Sequence, residues 1–436
     1  MNSGRIAIEP SNADNSGTDS LYTYIIGIGT TPFGKSPEKD HRDLANEALL
    51  DALQDASLSD GQRIDQGFFG SCLMHRSGQT MIRGQAALRK QMDAGVLPRR
   101  MPIMNVEGAC ATGSLALRAA RAAVLSGDAN LALAIGVEKM FRPDDPGSTL
   151  ADIEGGFDNF DPESWKREYA RAAKESGGKW DPAPDRSVAM DTYGLQASWH
   201  MHRYGTTQAQ IAAAAAKSHR NGALNPNAQY RFSMTTDDAL NDRQISGPLT
   251  RAMCAPIGDG AAAALVCSEA FLRELPAATR NRAIRIRSSG LSGGAFREFE
   301  EPSLSRIAAD KAYAEASLGP EDIDLAEVHD ATSFCEVYQA EMMRFCGVGK
   351  GGAYVESGAT EIDGSHPMNT SGGLVSKGHP IAATGLSMTH EIVTQLRDEA
   401  GDRQVRGAQI GMTENGGGVI GFEEAVCVVN ILDKPK

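Results

Sequence analysis

Two rhythms of apolar and polar positions alternate along the chain. LYTYIIGIGTTPFG (21–34) is a compact apolar block ended by glycines, as expected of a buried strand running into a loop. RDLANEALLDALQDASL (42–58) carries its apolar residues at helical spacing. IDQGFFGSC (64–72) is strand-like again, and NVEGACATGSLALRAARAAVLSG (105–127) passes from a small-residue loop into a helix. ANLALAIGVEKM (129–140) is almost continuously apolar, which suits a strand covered on both faces. Strands alternating with helices predict a layered α/β fold.

The rhythm breaks between about 142 and 250, a stretch rich in Asp, Pro, Lys, Arg and Trp. We expect an inserted excursion laid over the core, helical at TQAQIAAAAAKSHR (207–220). CAPIGDGAAAALVCS (254–268) then returns to strand-like sequence. Residues 1–20 are polar and rich in Gly, Ser and Asn, and are expected to form a disordered tail without the apolar stretch of a signal peptide.

The chain also echoes itself. LLDALQDASLSDGQRIDQGFFG (49–70) and AYAEASLGPEDIDLAEVHD (312–330) each give a helix, an "ASL" turn, an acidic spacer and a strand. The first is followed by EGACATGSLALRAARAAVLSG, the second by KGHPIAATGLSMTHEIVTQL, and each of these by a strand, LALAIGVE and QIGMTENGGG. A duplicated α/β unit places Cys110 and His379 at matching helix starts.

Composition narrows the function classes. The chain has 436 residues, enough for two or three packed units, with 41% hydrophobic and 23% charged residues. A net charge of −13 disfavours nucleic acid and anionic membrane surfaces as partners, and there is no apolar run of about 18 residues to span a bilayer. Seven scattered cysteines, with no CxxC or Cys/His spacing, predict neither a metal site nor disulfides, and hence a reducing, cytoplasmic setting.

Four segments carry candidate chemistry. Cys110 alone reads as a small buried hydrophobe. At a helix start, between small residues, it is also a candidate nucleophile, because the helix end favours thiolate and its free N–H groups suit an oxyanion. His379 sits between Gly378 and Pro380 before a helix and is a candidate base that would form an ion pair with Cys110. In EVHDATSFCEVYQ (327–339), His329 and Asp330 follow a predicted strand, where ligand-facing groups gather in α/β sheets; Asp330 reads equally as a cap and Cys335 as core. In MTENGGGVIG (412–421), Glu414 and Asn415 precede three glycines, a better active-site wall than phosphate loop.

Together and in this order, these segments are similar to the thiolase superfamily over roughly residues 21–433. GACATGSLAL resembles the nucleophile motif, SGGLVSKGHPIAATG the GHPxGxTG motif, and EVHDATSF the HDxF loop of the sterol-carrier-protein-2 branch. ENGGGVIG falls where the family has Cys-x-Gly-Gly-Gly; SHRNGALNPNAQ (218–229) and GDGAAAALV (258–266) are further family-like stretches. The resemblance implies two βαβαβαββ halves packed in five αβαβα layers, at 21–283 and 284–436, with a loop domain at about 142–250.

The resemblance further implies a homodimer or tetramer, no permanently bound cofactor, coenzyme A as co-substrate and an acyl-CoA substrate. Cys110 would be the acylated nucleophile and His379 its base. The Cys110 and Gly416 N–H groups would hold one oxyanion, and His379 with a water ordered by His329 the other. Glu414 stands where the second cysteine is usual, and Ala331 where some HDxF loops carry one; Glu414, Cys335 or a loop-domain residue would then move the α-carbon proton. For coenzyme A contacts the sequence suggests Arg220 and Ser376. Some HDxF relatives work with a separately encoded zinc-ribbon/OB-fold partner. The leading reading is a thiolase cleaving a 3-oxoacyl-CoA with a bulky, branched or aromatic acyl group. The alternatives are a condensing acyltransferase, a retro-aldol lyase on a CoA ester, or a non-catalytic CoA- or lipid-binding subunit.

Overall fold

The computed structural model describes residues 22–182 and 187–435; the expected tail at 1–20 lies outside them. The main sheet is built from β1 (Thr23–Thr30), β2 (Gln66–Gly70), β3 (Ile103–Val106) and β4 (Leu131–Glu138). A two-stranded hairpin, β5 (Gln244–Ser246) and β6 (Leu249–Thr250), interrupts it. The main sheet resumes with β7 (Gly260–Ser268), β8 (Ile284–Gly293), β9 (Leu325–Val328), β10 (Ile410–Gly417) and β11 (Val426–Asp433).

The strand order is β3-β2-β4-β7-β1-β8-β11-β10-β9, which reads as a near-palindrome. Moving outward from the β1·β8 contact, both sides meet two antiparallel pairs and then a parallel one: β1·β7, β7·β4, β4·β2 on one side, and β8·β11, β11·β10, β10·β9 on the other. β3 ends the first half; its counterpart is a single parallel bridge, Ala326 to Met368. The halves join where β1 and β8 pair over only three residues, Thr23–Ile25 against Ile284–Ile286. The echo in sequence thus has a spatial partner. Even the "ASL" turns match, with Ser57 and Ser317 both left-handed, at φ of 57° and 54°.

Five layers follow from where each apolar face is covered. Helix His41–Asp55 packs outside the first half through Leu44, Ala48, Leu49 and Ala52, opened by an Asp40 capping box. Helix Leu304–Ala316 covers the second half through Leu304, Ala308 and Ala312. Between the halves lie helices Thr112–Ser126 and Thr384–Leu396, sharing one core of Ala116, Leu117, Leu386 and Ile392 with strand residues from both sides. The middle helices touch because their first turns are bare. A Cβ on Gly113 would stand 2.9 Å from both Ala382 O and Leu386 N.

The excursion after β4 carries helices Pro146–Ile153, Pro162–Glu175, Val188–Tyr204, Gln208–Ala223 and Thr236–Leu240, besides the hairpin. An aromatic cluster of Phe157, Trp165, Tyr169 and Trp180 holds part of it, with ring centroids 5.1 to 6.5 Å apart. Among the described residues no helix is long and apolar enough to cross a membrane.

Candidate active site

Cys110 lies in the 3-10 turn Ala109–Ala111 between β3 and helix Thr112–Ser126. Ala109 is left-handed, φ 49°, a conformation that costs a non-glycine residue about 1–3 kcal/mol and survives only where neighbours impose it. Two hydrogen bonds do so: Ala109 N–H donates to Glu107 Oε1 (2.6 Å) and Gly108 N–H to Thr112 Oγ1 (2.9 Å). His379 is presented by the loop after the short helix Gly373–Lys377. Asp330 anchors that helix, accepting Leu374 N–H at 2.6 Å. Asp330 therefore caps, though not the helix that follows it in sequence.

The two turns bring Cys110 Sγ and His379 Nε2 to 3.2 Å. On the far side of the ring, Nδ1 lies 2.7 Å from Thr384 Oγ1, whose own hydroxyl donates to Pro380 O (3.1 Å). Since the Thr384 proton is used there, Nδ1 must be the N–H donor, which leaves Nε2 bare to accept from the thiol. His329 completes the group. Its ring meets that of His379 edge to face at 5.2 Å, and among the described residues neither of its buried nitrogens has a hydrogen-bond partner. One thiol and two imidazoles, with ligand atoms within 4.8 Å of one another, form a donor set that could hold a soft divalent ion.

Electrostatics here oppose the ion pair expected from sequence. Burial pushes the Cys110 thiol up to about 12, helped by the negative charge of Glu424. Burial likewise holds His379 well below its ordinary value and His329 at about 4. The resting pair is therefore a neutral thiol hydrogen-bonded to a neutral imidazole. The helix-dipole argument misses this because desolvation of a thiolate outweighs a half-charge at a helix end.

The remaining candidates separate. Glu414 is fully buried on β10, accepting from His329 N–H (3.0 Å), the Ser305 hydroxyl (3.1 Å) and the Cys427 thiol (3.2 Å). Burial lifts its carboxyl to about 6. Gly416, two residues on, lies against the Glu424 side chain, while Gly417 abuts the nucleophile's backbone: a Cβ there would be 2.7 Å from Cys110 N. Cys335 is buried, 3.5 Å from Thr332 Oγ1. Arg220 pairs at the surface with Glu361, and Ser376 is fully buried, donating to Tyr230 O at 2.8 Å. A cavity of about 330 Å³ opens at Cys110, lined by apolar residues (Leu73, Phe157, Tyr193, Ile381) and polar ones (Cys72, Arg83, Glu107). The residue that the sequence reading passes over is Glu424, since two glutamates before an apolar strand look like a solvated turn.

Comparison with known proteins agrees with this architecture. The profile "Thiolase, N-terminal domain" matches residues 23–270, and "Thiolase C-terminal domain-like" matches 297–430. The acetyl-CoA acetyltransferase of Methanothermobacter thermautotrophicus is 36% identical over 403 residues, covering 91% of this chain and 96% of that protein. Sterol carrier protein 2 of Homo sapiens is 33% identical over 422 residues, covering 92% of this chain and 72% of its own. Among solved structures, the Ltp2-ChsH2(DUF35) aldolase superposes with a TM-score of 0.70 at 21% identity, over 95% of this chain and 98% of that one. Human mitochondrial 3-ketoacyl-CoA thiolase gives 0.64 at 17%, over 95% and 100%.

Proposed function

The chain belongs to the thiolase family and is an acyltransferase, and we propose that it cleaves a 3-oxoacyl-CoA through an acyl-enzyme on Cys110. The observation that carries this reading is the 3.2 Å contact between the Cys110 thiol and the bare Nε2 of His379. With both groups neutral, His379 takes the thiol proton as sulfur attacks the 3-keto carbon, so charge develops only in the transition state. The Cys110 and Gly416 N–H groups receive the oxyanion formed there. His329, whose two nitrogens have no partner among the described residues, orders a water that, beside His379, holds the thioester oxygen. Cleavage of the C2–C3 bond releases an acetyl-CoA-type product, and a second coenzyme A removes the acyl group.

The apolar lining of Leu73, Phe157, Tyr193 and Ile381 supports a bulky, branched or aromatic acyl group. Coenzyme A is bound only in passing, as co-substrate. Arg220 and Ser376 stay as the coenzyme A contacts proposed from the sequence, and Arg83, which lines the cavity while donating to Thr80 O and Ser71 O, is a further candidate for the anionic end of the ligand. We take the halves as 21–283 and 284–436, the loop domain as about 142–250, and the assembly as a homodimer or tetramer; exposed Met104 on the edge strand β3 supports such an interface. Seven unpaired cysteines support a cytoplasmic setting. A small zinc-ribbon/OB-fold partner is carried over from the HDxF resemblance, and the Ltp2-ChsH2(DUF35) aldolase, a complex of two proteins, supports it.

The test is a screen of 3-oxoacyl-CoAs, read as consumption of free coenzyme A, with intact-mass detection of the acyl group on Cys110. Bulky acyl chains should outperform acetoacetyl-CoA, and Cys110→Ala should carry no acyl group. Turnover retained by Cys110→Ala overturns the covalent route, and full thiolysis by the purified chain removes the need for a partner.

A further inference from the structure

The reaction proposed above needs a group that moves a proton at the α carbon, and the family's second cysteine is absent. Two carboxylates lie near the place it would occupy. Glu414 shares its strand face with Met412, which packs in the outer core with Leu304 and Ala308, and its acceptor atoms are spent on His329 N–H, Ser305 and Cys427. Glu424 is placed differently. The loop between β10 and β11 folds back so that its side chain lies over Gly416, where a Cβ would meet Glu424 Cγ at 2.8 Å and Oε1 at 3.3 Å. The next residue, Gly417, lies against Cys110 N. Glu424 is partly exposed, unlike Glu414. Its negative charge raises the Cys110 thiol more than those of Glu138 and Glu107 do, and it also raises Tyr193, which lines the cavity.

We propose that Glu424 is the catalytic acid and base at the α carbon, a role that rests on the thiolase reaction argued above. Its neighbour Glu423 does the anchoring, accepting from Arg297 Nε (2.6 Å), Ala295 N–H (2.9 Å) and Leu304 N–H (3.1 Å). Two consecutive glutamates thus divide the work, Glu423 fixing the loop and Glu424 lying over Gly416. In cleavage the C2–C3 electron pair stays on C2, and the Glu424 acid gives C2 its proton and becomes carboxylate. The proton from Cys110 waits on His379. Coenzyme A thiol then attacks the acyl-enzyme, its proton passes to Glu424, and the departing Cys110 sulfur recovers its own from His379. Burial, followed by the charge of Glu414, lifts Glu424 to about 7, so both forms are present at neutral pH. The groups with which its charge interacts are Glu414, Glu423 and Arg297, with Cys110, Cys335, Cys427, Tyr193 and Tyr338.

The experiment measures deuterium entry into the methyl group of acetyl-CoA in heavy water, beside single-turnover acylation of Cys110 by p-nitrophenyl acetate followed by intact mass. In the wild type, exchange should rise with pH through about 7 and then level, because the carboxylate is the form that abstracts the proton. Glu424→Gln should lose exchange by about 100-fold or more and lose the inflection, while Glu424→Asp keeps part of the rate. Acylation of Cys110 by p-nitrophenyl acetate, a donor whose leaving group takes no proton, should stay within about threefold of wild type in Glu424→Gln. Wild-type exchange in Glu424→Gln, or parallel loss of acylation in both variants, overturns the assignment. A wild type that never acylates Cys110 overturns the reaction itself and this role with it.

Discussion

At Cys110 the protein trades resting reactivity for control: the thiol and its base are held 3.2 Å apart and both uncharged. Alkylation gives a direct reading of that state. A thiol pushed up to about 12 has a thiolate fraction that grows tenfold per pH unit, so the rate of Cys110 modification by iodoacetamide should climb through pH 9 without levelling. A plateau near neutrality would reveal an ion pair. Because the two residues act as one device, Cys110→Ala and His379→Ala should each reduce turnover by about 1,000-fold or more, and the double variant should be little worse; steady-state kinetics on an accepted 3-oxoacyl-CoA reads this. Both positions are legible in the sequence, from small residues before a helix in two echoing segments. Their charge state is not, since a local helix-end argument carries no information on the desolvation supplied by residues from other segments. Glu424 is illegible for a related reason: only the return of the loop over Gly416 turns a surface-looking glutamate inward.

Among the elements, the two middle helices decide whether the reacting groups meet. Their first turns approach until Gly113 has no room for a methyl group, the obstacles being backbone atoms of Ala382 and Leu386 rather than a side-chain tip that could swing away. Gly113→Ala should therefore cost about 1–3 kcal/mol in stability and separate Cys110 from His379. Thermal unfolding should record a lower midpoint, and acylation of Cys110 should slow more than the stability loss alone explains. The long apolar blocks at β1, β4 and β7 were readable as strands because both faces are covered. β3 was not, being short and half exposed at the sheet edge. In β8 the alternating Arg285 and Arg287, both paired with Asp433, disguise a strand as polar sequence. β11 is a plain apolar run that a reading centred on the glycine loop before it passes over.

For the molecule as a whole, the halves meet through the core of the two middle helices, a narrow three-pair strand contact and a partly buried ionic clasp. Arg397, after the second middle helix, donates to Asp55 Oδ2 (2.7 Å) and to Arg282 O (2.7 Å), and Arg282 also donates to Asp55. Burial draws the Asp55 carboxyl upward, but Arg397 and Arg282 outweigh it and hold the group below its ordinary range. Asp55→Ala leaves the Arg397 charge buried without its carboxylate and should cost about 3 kcal/mol in urea unfolding at pH 7. A depressed carboxyl contributes stability that is present above its unfolded pKa and lost as pH falls through the folded one. The gap between wild type and variant should thus persist down to about pH 4 and close below it. The duplication was visible in sequence as an echo; the clasp was not, because Asp55 and Arg397 are 342 positions apart and nothing local links them. One further consequence concerns birth rather than turnover. Cys110 is synthesised 269 residues before His379, so a ribosome-bound or half-folded chain carries a nucleophile without its base. The appearance of turnover during refolding therefore times the docking of the halves.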